Sequence, residues 1–578
     1  MQLRDRALIG VLSLALIGLS IASLAPSLQS SGGEVEPTLP VPVSRPYIEG
    51  VLGRATNASP FGARSAADRA LVGLLFRGLV RLGPGNAIVG DLASRWEVDE
   101  TGGVWTFHLR PDQFWEDGER ITADDVAFTV GVLADPAYTG PGAESWRDVT
   151  AVVVDALTVE LRLTTPLGGF LQAATQPIAP AHALGGVPVD AIGEDPFGAF
   201  PVGSGPYRLT LLDASRAVLA AATPVEPPPG EPGRPNFTTP RPTDSLLTPR
   251  PTPRPDIPIP HIANVELRYY DDVEQLRADW DAGRLDAVSG LQPDAAREFA
   301  AGVDTQLVRY PGTTLLGVTL DLRARRQTFQ DAAVRKALLQ SIDRDALITN
   351  ALSGLGARAD SLIPNSSPMF DASSSAVIPF DLDAARKALR DAGWRQADGS
   401  WVPKGESDPL ILELLSPEET ANPVAYATAV AVRDAWHELG LSVRLVPLPP
   451  AELIGDRLGG GDFQAAVLPV AIGLDPDLYP LLAASQTRRG GSNISGLQDP
   501  ELDKLLVAAR TPTDATARTT AYAELQKRLV ANTYMLPLAF RDEYVVVRAS
   551  VVGLQPRPVG GSWDRYWDVL TWRLADGS

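Results

Sequence analysis

Residues 90–130 read GDLASRWEVDETGGVWTFHLRPDQFWEDGERITADDVAFTV, and their succession of turns, alternation and caps decides the fold. Leu92, Ala93 and Trp96 form an apolar patch. Glu100-Thr101-Gly102-Gly103 reads as a turn, because paired glycines permit the positive φ of a tight hairpin. Val104–Leu109 alternates large and polar side chains, as a half-buried strand does. Glu116-Asp117-Gly118 is a second turn. Thr122 is a candidate N-cap for a helix beginning at Ala123-Asp124-Asp125, whose acids lie where the helix dipole favours them.

This order closely resembles a segment of the extracytoplasmic solute-binding proteins of the peptide/nickel class, which feed ABC importers. The matching positions are Asp91-Leu92-Ala93, Trp96, Leu109-Arg110, Phe114, Asp117-Gly118 and Thr122-Ala123-Asp124-Asp125-Val126. Gly203-Ser204-Gly205-Pro206-Tyr207 matches a second signature of that family, and Val334-Arg335 with Ile342-Asp343-Arg344 a third. The likeness spans about residues 47–575. It implies an α/β fold of the two-lobed periplasmic-binding-protein kind (class II, with an extra subdomain in the first lobe) and a hinge between the lobes.

Bulk properties fit a large soluble globular body. A chain of 578 residues exceeds one core, so at least two domains are expected. A formal charge of −19 argues against nucleic acid, since nothing offsets phosphate repulsion. There is no cysteine, which removes disulfides, thiolate metal sites, cysteine nucleophiles and a lipid-bearing cysteine anchor. The four histidines, at 108, 182, 261 and 437, are far apart, and His437-Glu438 lacks the second histidine of a zinc-protease helix. No P-loop and no GxSxG elbow occurs. No cofactor, no metal and no catalytic residue is expected.

Residues 7–25 form one uncharged apolar run after Arg4 and Arg6. Its length suits a membrane span of about 20 residues better than a signal-peptide core. Residues 1–25 are therefore expected to be an uncleaved anchor with the body exported, a cleaved signal being the alternative. Residues 26–46, rich in Ser, Gly and Pro, read as a linker. Lobe I is expected over 47–310, with its extra subdomain at about 60–200, lobe II over 311–537, and a return to lobe I over 538–578. Residues 224–260 hold fourteen prolines and read as an extended insertion, either a surface loop or a docking arm.

Local patterns fill in the rest. Asp68–Leu82 carries a helical apolar stripe ending at Gly83-Pro84-Gly85. The two glycines of 203–207 are expected to allow close backbone approach before a strand. Thr314–Leu320 reads as a buried strand at the crossing between lobes. In the helix of 333–342, Val334, Ala337, Leu338 and Ile342 share one face and Arg335 is expected to point elsewhere.

The resemblance implies solute held between the lobes, an oligopeptide or another small organic molecule, in a monomer that delivers to membrane permease subunits. It places the loop holding Asn57 and Ser59 beside the cleft, and Asn493-Ile494-Ser495-Gly496-Leu497 near it. Peptide-binding members hold the peptide amine with an Asp before an acid-Pro pair. Aligning on Asp475-Pro476 puts Ile472 at that place and Pro469 where a Trp is common. Asp475 or Asp477 can replace that Asp or serve the fold, with Tyr479 in the same stretch. Asn493 and Ser495 reach solute or cap their loop, and Tyr138 and Trp146 line the pocket or pack. Two other readings remain. One is a membrane-tethered interaction or sensory protein on a degenerate binding fold. The other is an exported hydrolase using carboxylates among Glu116, Asp117, Glu119, Asp124 and Asp125.

Overall fold

The computed structural model describes residues 45–222 and 260–575, apart from Arg326 and Arg489. The apolar run 7–25, nearly all of the 26–46 linker and nearly all of the Pro-rich stretch 224–260 lie outside the described residues.

The fold is mixed α/β and two-lobed, and a single eleven-stranded sheet runs through both lobes. From one edge the strands are Ser442–Leu448, Ile411–Pro417, Ala465–Ala471, Thr305–Leu320 and Met535–Arg548. The order continues with Ala287–Ser289, Tyr47–Leu52, Asn264–Tyr270, Arg216–Ala221 and Tyr207–Leu212, while Gly356–Arg358 pairs with Met535–Arg548 off this path. The two largest apolar cores of the described residues pack against this sheet. One gathers side chains from Tyr47 to Tyr310 and again from Val545 to Trp572. The other gathers those from Leu315 to Phe540.

Two long antiparallel strands pass from core to core. Along Thr305–Leu320, Val308 and Tyr310 belong to the first core and Leu315, Val318 and Leu320 to the second. Met535–Arg548 changes over between Phe540 and Val545. Their pairing is irregular between Tyr310 and Thr314, where Pro311 and Gly312 interrupt the register. Gly312 lies so close to its neighbour that a Cβ there would stand 1.9 Å from the Arg541 carbonyl oxygen. The Thr314–Leu320 expectation therefore holds within a longer strand.

The opening segment folds as its sequence reads. Ala93–Val98 and Val104–Leu109 pair across a turn in which Gly102 takes φ 71°. They belong to a four-stranded sheet with Thr158–Leu163 and Val149–Asp155. The helix Ala123–Ala134 starts at Thr122, whose backbone N–H donates to Asp125 at 2.8 Å. The helix expected over 68–82 instead spans Ala66–Leu75, and Val80–Leu82 is a strand paired with Ile88–Gly90. The apolar stripe continues because both elements bury side chains in the first core. The helix ends at Phe76, which is extended, and Gly78 follows where the backbone meets Thr175, whose carbonyl oxygen would be 2.6 Å from a Cβ. The Leu75 carbonyl, left open at the helix end, accepts from Ser204 and Gly205, which explains the two glycines of that motif.

Arg335 does not point away from the core. It is buried, and its guanidinium donates to the carbonyls of Phe329, Gln330, Asn532 and Thr533. Arg344 similarly serves the carbonyls of Ala359 and Ile378. Each replaces a missing backbone partner with charge-assisted bonds, so the family's Val-Arg and Ile-Asp-Arg residues tie loops together.

In the first core, Glu49 is fully buried on the strand Tyr47–Leu52. Arg565, from the returning C-terminal segment, donates to it at 3.2 Å and through a second, closer nitrogen. The hydroxyls of Tyr47, Tyr566 and Ser289 complete the cluster. Arg565→Met leaves a bare buried carboxylate and is expected to cost about 3–5 kcal/mol. Glu49→Gln added to it is expected to restore part of that loss, both read by urea unfolding. In the second core, Asp499 starts the helix Pro500–Arg510. Burial opposes its ionisation, yet donors from Tyr534, Arg528 and Leu502 win and hold its carboxyl at about 2 instead of 3.8. Its stabilisation is therefore complete above pH 3.8 and is lost as the pH falls through about 2. Asp499→Asn is expected to lower Tm at neutral pH and to converge on the native protein near pH 2, by calorimetry across that range.

Candidate functional site

The loop after the strand Tyr47–Leu52 is shaped by one carboxylate. Asp68, buried in the first turn of its helix, accepts from the backbone N–H groups of Thr56 (2.7 Å), Asn57 (3.0 Å), Arg64 (3.2 Å) and Ser65 (2.8 Å). The Ser65 hydroxyl returns the favour to the Asp68 N–H, closing a capping box. Within this loop Asn57 donates to the Gly193 carbonyl at 2.9 Å and accepts from the Ser59 N–H at 2.8 Å. The Ser59 hydroxyl accepts from Phe61 and is buried. Tyr138 is buried too; its hydroxyl donates toward the Phe61 and Pro141 carbonyls, and its ring meets Phe61 edge-on at 5.9 Å. Burial raises the Tyr138 pKa. Trp146 packs edge-on against Phe170, centroids 5.5 Å apart.

On the second core, the strand Ala465–Ala471 leads into Ile472, whose N–H donates to the Thr313 carbonyl at 3.2 Å, beside the strand crossing. Asp475 forms a two-pronged ion pair with Arg518. Asp477 pairs with Arg510 at 2.9 Å and accepts from the Tyr479 N–H, and burial raises its pKa against the pull of Arg510. The Arg510 guanidinium lies over the Tyr479 ring at 4.5 Å, and the Tyr479 hydroxyl meets Ser485. Asn493 is buried and donates to the carbonyls of Leu482, Ala483 and Leu497, while Ser495 donates to Asn493 and accepts from Leu497.

Thus Asn57, Ser59 and Tyr138 meet around Phe61, Asp475, Asp477 and Tyr479 share one charged network, and Asn493 with Ser495 forms one buried loop. These groups lie in the fold's own hydrogen bonds and ion pairs. Arg510 and Arg518 sit on helices distant in the chain from their acids and carry no local mark of that pairing, and Gly169 faces Asp475. Among the acids of the hydrolase reading, Asp117 meets His182 at 2.8 Å and Asp125 accepts from Thr122 and Ala181. Among the described residues no group of three or more His, Cys, Asp or Glu side chains is placed to hold a metal ion, and no helix is long and apolar enough to cross a membrane.

Residues 87–492 match the profile of the bacterial extracellular solute-binding proteins, family 5. The oligopeptide-binding protein AppA of Bacillus subtilis is 21% identical over 521 residues, 88% of this chain and 89% of its own. Protein XP55 of Streptomyces lividans is 28% identical over 446 residues, 75% of this chain and 73% of its own. The structure is similar to that of Bacillus subtilis AppA in complex with a nonapeptide, with TM-score 0.68 and 19% identity over 92% of this chain and 100% of that one. It is also similar to NikZ of Campylobacter jejuni in complex with Ni(L-His), with TM-score 0.69 and 19% identity over 91% and 99% of the two chains.

Asp68→Ala removes the acceptor of four backbone donors. It is expected to cost about 1–3 kcal/mol and to speed hydrogen exchange at Thr56, Asn57, Arg64 and Ser65, with the second core unaffected.

Proposed function

The chain belongs to the bacterial extracellular solute-binding proteins, family 5, and from that premise we propose that it captures an oligopeptide or related small organic solute for an ABC-type importer. The observation that carries this reading is the pair of crossing strands, interrupted at Pro311-Gly312 between two separate cores. Such a connection lets two rigid halves rotate at a few backbone positions. A solute touching both halves stabilises the closed state by its differential affinity, which is all that capture requires. The ligands named with the similar structures, a nonapeptide in AppA and Ni(L-His) in NikZ, support a small, polar, peptide-like guest.

On this reading lobe I comprises residues 47–310, lobe II residues 311–537, and 538–578 return to lobe I. The loop of Asn57 and Ser59, held by Asp68, and the stretch that follows Ile472 form facing walls. Their candidate residues set the shape of those walls through bonds within each lobe. The basic residues before the apolar run 7–25 favour an anchor that leaves the body outside the cytoplasmic membrane, where a monomer would meet the permease.

The test is a thermal-shift titration against panels of peptides, oligosaccharides and opines. A captured solute raises Tm by mass action, about 2.7 kcal/mol of added stability at a hundredfold excess over Kd. Peptides are expected to produce the shift, and silence across all three classes would contradict capture.

A further inference from the structure

Two glycines of the first lobe meet the second lobe at a spot away from the crossing strands. Leu167 and Phe170, on either side of the pair, pack into the first core, whereas Ala509 and Tyr522 belong to the second. The Gly168 N–H donates to the Arg510 carbonyl at 2.7 Å. A Cβ on Gly168 would stand 1.8 Å from the Pro512 carbonyl oxygen and 2.9 Å from Arg518 Cδ. A Cβ on Gly169 would stand 2.8 Å from the Asp475 carboxylate carbon.

Neither glycine is needed by its own backbone. Gly169 has φ −86°, and Gly168 is not among the residues of positive φ. The Gly169 conformation is open to an L side chain, and Gly168 lies outside the left-handed region that favours glycine. What excludes one is the opposite lobe. That surface is stiff, because the Asp475–Arg518 and Asp477–Arg510 pairs fix the turn between the helices Pro500–Arg510 and Ala515–Asn532. Nearby, Gly102 reaches the same turn, its added Cβ lying 3.3 Å from Thr513.

The geometry points to a clasp, in which Gly168-Gly169 docks on the Arg510–Thr513 turn and holds the lobes closed, with Asp475, Asp477 and Tyr479 bracing that turn instead of touching solute. This rests on the reading of the chain as a closing two-lobed binder. The clasp contributes to the closed state whether or not solute is present, and so sets how much differential affinity the solute must supply.

The chain has no cysteine, so spin labels can be placed selectively. Labels at Asp124→Cys and Arg390→Cys, exposed helical positions on the two lobes, report the interlobe distance by double electron–electron resonance. In the labelled full chain, Gly168→Ala is expected to raise the open-to-closed ratio about fivefold, the effect of one net hydrogen bond. Gly169→Ala is expected to act in the same direction, and it decides the matter if Gly168→Ala does not fold. Calorimetric Tm close to native shows that each lobe remains intact. Distance distributions unchanged from native in both variants overturn the clasp. A chain stabilised by peptides but unchanged in distance loses only the clasp. A chain whose distances respond to the alanines while no panel compound raises Tm keeps the clasp and loses the peptide reading.

Discussion

The structure depends on a close backbone approach. At Gly312 the first crossing strand presses against the Arg541 carbonyl of the second, and no side chain fits between them. This packing lets one sheet serve two cores, since both strands change allegiance within a few residues of that point. Val559 bridges to Gly312, and Ile472 donates to Thr313, so the C-terminal return and the second lobe converge there too. A sheet that is continuous yet irregular within the short stretch from Tyr310 to Gly317 is stiff on either side and compliant between, which is what a hinge requires.

Buried charge performs the long-range stitching. Glu49 and Arg565 lie 516 residues apart and bind the C-terminal segment to the first strand of the body. Arg335 and Arg344 gather carbonyls that helices and turns leave open. Asp68 does the same for four N–H groups. Each charge is costly to bury alone and is retained with several partners, so each fixes its loops in a single arrangement.

Much of this was legible in the sequence where the partners are local. The Gly102 turn and the Thr122 cap follow from neighbours within a few residues. The expectations that failed depend on distant partners. The stripe 68–82 looks like one helix, but the chain turns extended at Phe76, passes Thr175 at Gly78 and pairs Val80–Leu82 with Ile88–Gly90. Arg335 looks like a surface cation until the carbonyls of Asn532 and Thr533, nearly two hundred residues on, come to meet it. For the acids of 475–477 both a solute role and a structural role were open, and the ion pairs with Arg510 and Arg518, which carry no local mark of that role, show only the structural one.

Function follows from mechanics more than from any reactive group. Two stiff halves on a compliant crossing convert the presence of a guest into a change of shape. Small-angle X-ray scattering of the full chain, alone and with a peptide that raises its Tm, tests this most directly. A smaller radius of gyration and a more compact distance distribution are expected with the peptide bound. A bound peptide that leaves a uniformly extended profile unchanged, with the lobes held apart, would contradict it.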